Sequence, residues 1–112
     1  MKTSLPLILA MLASPVLAAP FAYVPNEKSA TISIIDTATD QRTANIPVGQ
    51  RPRGAVTDGA LIYLTDAKEG SLFTLDPASG KVLRKTHLGA SPEGLGLSAD
   101  GKLLAAAVED DN

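Results

Sequence analysis

The sequence predicts an all-β fold, an incomplete β-propeller of a little over two blades built from four-stranded antiparallel repeats of about forty residues. Three observations carry that prediction: self-similarity at a fixed offset, short strand-like runs inside each copy, and turn residues at the same places in both. Sliding the chain by forty residues superimposes Tyr23 on Tyr63, Lys28 on Lys68, Asp36 on Asp76 and Ala38 on Ala78. It also superimposes Gly49 on Gly89, Pro52 on Pro92 and Gly54 on Gly94. Val24/Leu64, Ile32/Leu72, Ile35/Leu75 and Val48/Leu88 keep apolar character. A period near forty marks stacked supersecondary units, each of which needs neighbours to bury its faces. A small sandwich would also give regular short strands. It would not give repeated identities at a constant offset.

The elements follow in chain order. Lys2, the apolar run Leu5–Leu17 and the small residues Ala18-Ala19 have the layout of a secretory leader. The run is broken by Pro6 and Pro15 and falls short of the roughly 30 Å needed to span a bilayer. Residues 1–18 are therefore assigned to a Sec-type signal peptide cleaved after Ala18, with an uncleaved anchor as the other reading. Residues 19–112 form the propeller part: repeat 1 over about 20–54, repeat 2 over about 55–94, and the start of a third over about 95–112.

Within the repeats, Ile32 and Ile34 alternate with Ser33 and Ile35, and Leu72 and Thr74 with Phe73 and Leu75, the period-two pattern of strands. Asp76-Pro77-Ala78-Ser79-Gly80 is a turn: Asp accepts local N–H groups, Pro presets φ, and Gly supplies the left-handed residue. The first copy, Asp36-Thr37-Ala38-Thr39-Asp40, places Asp40 at that last position. Asp58-Gly59 and Asp100-Gly101 read as hairpin turns, the second displaced by a two-residue insertion near Ser98-Ala99. Asn26–Ser29 and Lys68–Gly70 supply the remaining connections. No helical stripe follows residue 19. The strand count is three for the first blade, four for the second and two for the third. A complete ring needs more, so the chain is expected to be an N-terminal fragment, or else a short protein that assembles with other chains.

The formal charge is −2, with Lys2 lost if the leader is removed. A mildly acidic chain has no basic footprint for nucleic acid or anionic lipid, so neither nucleic-acid nor membrane binding is expected after cleavage. The chain has no cysteine, which excludes disulfides, thiolate catalysis and cysteine-ligated metals.

Ala22-Tyr23-Val24-Pro25-Asn26, Thr31–Thr39 and Ile46-Pro47-Val48-Gly49 resemble the YVTN-type propeller repeat of exported bacterial and archaeal proteins. Gln50-Arg51-Pro52-Arg53-Gly54 and Ala107–Asn112 are closest to the PQQ-dependent catabolism-associated β-propeller proteins. That resemblance covers residues 20–112. It implies a periplasmic, seven-bladed relative associated with quinoprotein alcohol oxidation, with a periplasmic redox protein as partner. Arg42-Thr43 departs from the two valines the repeat prefers, which an edge strand accepts.

Candidate chemistry is sparse. Arg51 and Arg53 stand just before the inner strand of the second blade, where an arginine fork can take a carboxylate or phosphate of a ligand or partner. The matching positions in the next unit are Ser91 and Glu93, so the bland reading is an Arg53–Glu93 bridge between blades. His87, the single histidine, reads as a surface residue of an outer strand rather than a ligand. Glu109-Asp110-Asp111-Asn112 lacks the alternating spacing of a calcium loop and reads as a solvated turn. Asp36 and Asp76 are explained by their turns, and Tyr23 and Tyr63 are expected in the core with their hydroxyls partnered. No catalytic residue, metal ligand or cofactor-binding residue is assigned, and no cofactor is expected. The leading reading is a non-catalytic binding or accessory protein. The alternatives are part of a propeller enzyme (quinoprotein dehydrogenase, lactonase or cytochrome cd1-like haem domain) or a cell-envelope structural protein.

Overall fold

The computed structural model describes residues 20–109. The leader and the last three residues of the acidic end lie outside them. Nine strands form three antiparallel sheets. The first holds β1 (Phe21–Asn26), β2 (Thr31–Asp36) and β3 (Gln41–Pro47). The second holds β4 (Pro52–Thr57), β5 (Ile62–Asp66), β6 (Ser71–Asp76) and β7 (Lys81–His87). The third holds β8 (Pro92–Leu97) and β9 (Leu104–Val108). Strands pair in sequence order within each sheet, so every internal connection is a hairpin. These are propeller blades of three, four and two strands, and residues 20–109 contain no helix. The repeat unit counted from residue 20 ends inside β4, so sequence repeat and sheet are out of phase by part of a strand.

The turns form for the reasons their residues give. Asp76 Oδ1 accepts the Ala78 N–H at 3.1 Å, the Ser79 hydroxyl donates to Oδ2, and Gly80 sits at φ +71°. Asp36 accepts from Ala38 in the same way, and Asp40 takes the left-handed position at φ +56°. Asp58 Oδ1 accepts from both Ala60 and Leu61, with Gly59 at φ +97°. Ala30 occupies at φ +55° the place that Gly70 fills at φ +63°. The side chain makes Ala30 the strained member of that pair.

The core lies between the first two blades. Ile32, Val48, Ile62, Leu64, Phe73 and Leu75 form one buried cluster, with Tyr23, Ile46 and Ala55 packed on it. Ile62, Leu64, Phe73 and Leu75 are every second residue of β5 and β6, so one face of the second blade supplies most of it. Alternation is less clean in β2, where Ile32, Ser33 and Ile34 are all buried. Ser33 is accommodated by accepting the Asn26 amide N–H at 2.8 Å and donating to Asn45 Oδ1 at 3.2 Å. Tyr63 departs from expectation: it is half-buried outside the cluster, its hydroxyl donating to Asp58 Oδ2 at 3.0 Å.

The outer edges mix charged residues with exposed apolar ones, Val82 and Leu83 on β7 among the latter. All seven residues of β7 are exposed, Lys81, Arg84 and Lys85 among them. In β3, Arg42 and Thr43 are exposed as expected, and Thr43 is the extra residue of a bulge opposite Ile34/Ile35. The second blade repeats that bulge opposite Thr74/Leu75.

Candidate functional site: a charged rim where three blades meet

Between Pro52 and Ala55 the pairing of β4 with β5 shifts register, leaving Arg53 and Gly54 in a bulge opposite Thr65. β8 shifts identically between Pro92 and Leu95, so Glu93 occupies the matching bulge. A bulge re-aims the side chain it carries. Here both are turned to the line along which neighbouring blades touch. Arg53 therefore lies within β4 rather than just before it, as the sequence suggested; Arg51 does precede the strand.

The bulges bring the blades into close contact. Thr65 Oγ accepts the Gly54 N–H at 2.9 Å and donates to the Glu93 carbonyl at 2.6 Å, one hydroxyl joining two blades. A Cβ on Gly54 would collide with that same carbonyl. Only glycine permits this approach.

Arg53 is a hub. Its Nη1 donates to Glu93 Oε1, and its Nη2 to Glu27 Oε1 at 3.2 Å, while Glu109 Oε2 stands 4.0 Å from Nη1. It thus links the β1–β2 turn of the first blade to β8 and to the turn just past β9 in the third. The bridge to Glu93 foreseen from the repeat is present, and Glu27 and Glu109 join it. Arg53 Nε is buried and has no hydrogen-bond partner among the described residues. Arg51 Nε donates to the same Glu27 oxygen at 2.5 Å, but its side chain is half exposed. The Arg51 hydrogen bond, reinforced by Arg53, holds the Glu27 carboxyl below its ordinary pKa. Arg53 and Glu93 line a hollow of about 490 Å³ together with Pro25, Glu27, Pro52, Gly54 and Gly94, and Arg51 lies outside it.

Asp66 fixes the loop that presents Arg51. It is fully buried, and its Oδ2 accepts the Gln50 and Arg51 N–H groups at 2.7 and 2.8 Å. Its Oδ1 accepts those of Lys68 and Glu69 at 3.1 and 2.9 Å. A Cβ on Gly49 would strike Oδ2, so the loop closes tightly over the carboxylate. Sequence reasoning missed Asp66, Thr65 and Glu27. The one available signal was that Asp66 answers polar Asn26 at an otherwise apolar strand end.

His87 is exposed at the end of β7 and lines a second hollow with Arg51, Lys68 and Ser91, apart from Arg53. Asp36 and Asp76 are in their turns, remote from the rim by register. Among the described residues no cluster of three or more His, Asp or Glu could hold a metal ion.

Among solved structures, the chain is similar to hydrazine synthase of Kuenenia stuttgartiensis, with 25% identity and a TM-score of 0.76 over 80% of this chain and 26% of that one. The dihydro-heme d1 dehydrogenase NirN, solved in complex with DHE, matches at 20% identity and a TM-score of 0.67, over 81% of this chain and 20% of its own. Apo AztD from Citrobacter koseri matches at 24% identity and a TM-score of 0.59, over 83% of this chain and 24% of its own. All three are β-propeller proteins, which agrees with the blades described above. This chain spans about a quarter or less of each. No protein-family model matches it, and no curated protein does.

Proposed function

We propose that this is a non-catalytic propeller of the YVTN repeat type, exported to the periplasm, that serves as a binding or accessory protein to PQQ-dependent alcohol oxidation. Its partner on this reading is a periplasmic redox protein, met at the rim by Arg51, with Arg53 behind it. The observation that carries the reading is the half-exposed Arg51 guanidinium on a loop locked by Asp66, beside a second arginine anchored to three carboxylates. Rigid, pre-oriented charge at the mouth of a propeller suits recognition of an anionic patch, where it governs association rate and orientation more than affinity. The leader-like N-terminus and the YVTN and PQQ-associated resemblance support the compartment and the pathway class.

The test is to titrate the chain with an acidic soluble redox protein from the periplasm at low and moderate salt. Binding that Arg51→Ala slows in association, with a flatter salt dependence, is the expected result. Association unchanged in that variant would remove Arg51 from the contact. Recovery of a chain beginning at residue 19 from the periplasmic fraction tests the export reading.

A second reading has its own support. Two of the similar structures carry enzyme names, a hydrazine synthase and a dihydro-heme d1 dehydrogenase. Turnover of an alcohol by a longer form of the protein, without an added dehydrogenase, would favour a propeller enzyme.

A further inference from the structure

We infer that the hollow beside His87 binds a short dicarboxylate, with Arg51 taking one carboxylate and Lys68 and His87 the other. The hollow has a volume of about 720 Å³. Arg51 lines it from the loop ahead of β4, Lys68 and Glu69 from the β5–β6 turn, His87 from the end of β7 and Ser91 from the loop ahead of β8. That volume is within the range of small-molecule sites, and a bare inorganic anion would leave most of it empty. The lining is rich in free donors. Arg51 spends Nε on Glu27, and its two Nη groups have no partner among the described residues. The Lys68 ammonium and the His87 ring make no ion pair or hydrogen bond among them either. Neutral or protonated, an imidazole keeps at least one N–H to give. The acid in the lining, Glu69, has both oxygens engaged: Oε1 accepts the Gln50 amide at 3.1 Å, and Oε2 pairs with Lys85 at 2.9 Å. Unmet positive charge therefore collects here in a chain whose formal charge is −2.

The donors fall into two groups. His87 pairs with Ser71, and its ring stands against Gly70, where an added Cβ would meet ring Cε1 at 3.6 Å. That sets the imidazole beside the turn that carries Lys68. Arg51 arrives on another segment, its carbonyl accepting the Ala67 N–H at 2.9 Å and its own N–H held by Asp66 at 2.8 Å. Two donor groups on separate segments match two carboxylates joined by a short chain. The planar arginine fork suits one of them, and the compact ammonium with the imidazole suits the other. A phosphate gathers its oxygens on one centre and engages one group alone. The set is not demanded by the repeat. Forty residues earlier Lys28 keeps the lysine, but Pro47 stands in place of His87 and has no donor. The site is apart from the Arg53 hub and shares only Arg51 with the partner contact, so either reading can fail while the other stands.

The probe is succinate, titrated calorimetrically into the full chain at low ionic strength, where exposed charges are least screened. Butyrate and inorganic phosphate are the comparison anions. Saturable succinate binding is expected, with each comparison anion about tenfold weaker or worse (a factor of ten being about 1.4 kcal/mol). Lys68→Ala and Arg51→Ala should each weaken succinate about tenfold, and Lys68→Arg should restore most of the affinity. His87→Leu, which lacks a donor, should weaken it as well. Lys68 and His87 are exposed, so these variants leave the core intact. The titration is repeated on the chain with Asp110→Asn and Asp111→Asn, which removes the carboxylates that follow Glu109 in the sequence. Absence of succinate binding in both chains would overturn the inference. So would equal affinity for butyrate, tighter binding of phosphate, or a Lys68→Ala chain that binds succinate as the native one does.

Discussion

The first and second blades run through the same backbone path with the same turns, yet residues at one register position fare differently in each. Val24 is 39% exposed, whereas Leu64, forty residues later, is fully buried. Ile35 is half-buried and Leu75 buried; Ser33 and Phe73 answer each other as small polar and large aromatic. The second blade's face is covered by the first, while the corresponding face of the first has no neighbour among the described residues. Its polar chain of Asn26, Ser33 and Asn45 is replaced in the second blade by Asp66, Phe73 and Lys85. There Lys85 lies over the Phe73 ring at 5.5 Å and pairs with Glu69 at 2.9 Å. The pattern of apolar residues makes a strand, and stacking decides which of them are buried.

The sharpest test of this contrast is Asp66→Ala against Asn26→Ala. Removing Asp66 strips the acceptor from four N–H groups in a buried site and is expected to cost about 3 kcal/mol or more. Asn26 donates two part-buried bonds, and its loss costs about 1 kcal/mol. Equal costs in urea titrations would show that the two blades are equivalent at this position after all. Next comes Gly54→Ala, whose Cβ meets the Glu93 carbonyl; overpacking of that kind costs about 1–3 kcal/mol. Gly94, in the third blade, has open space around it and accepts alanine with little change in melting temperature.

Ala30→Gly runs the other way. It brings the first blade to the chemistry of Gly70 at a left-handed position and raises stability by about 1 kcal/mol, less the flexibility that glycine adds to the unfolded chain. The smallest effect is in acid. Hydrogen bonds from Leu61 and Ala60 hold Asp58 below its ordinary pKa of 3.8. A depressed carboxyl stabilises the fold above the unfolded value and loses that contribution as pH falls through the lower, folded one. Asp58→Asn should therefore flatten the pH dependence of stability below about pH 4. Asp100→Asn tests the same for the third blade, where the Ser98 hydroxyl is the main cause of the shift.

The frame was legible because turn residues act locally. Asp36, Asp58, Asp76 and Asp100 bond to their own neighbours, and the glycines supply backbone angles that need no distant partner. The strand count and the Arg53–Glu93 bridge followed from a constant offset. The bulges did not, since Pro52-Arg53-Gly54 reads as an ordinary strand start until its pairing with β5 is known. For the same reason Glu27 and Glu109 could not be placed on Arg53: they come from different hairpins and meet only through blade stacking. Tyr63 left the core because the face it occupies looks toward a blade with only two strands.

The cationic, fully exposed β7 has a consequence for how material can be added to this molecule. A hydrogen-bonded neighbour laid along it would bring Lys81, Arg84 and Lys85 against similar charge or strip them of water. Lateral zippering between molecules is thereby discouraged along the outer strand of the second blade.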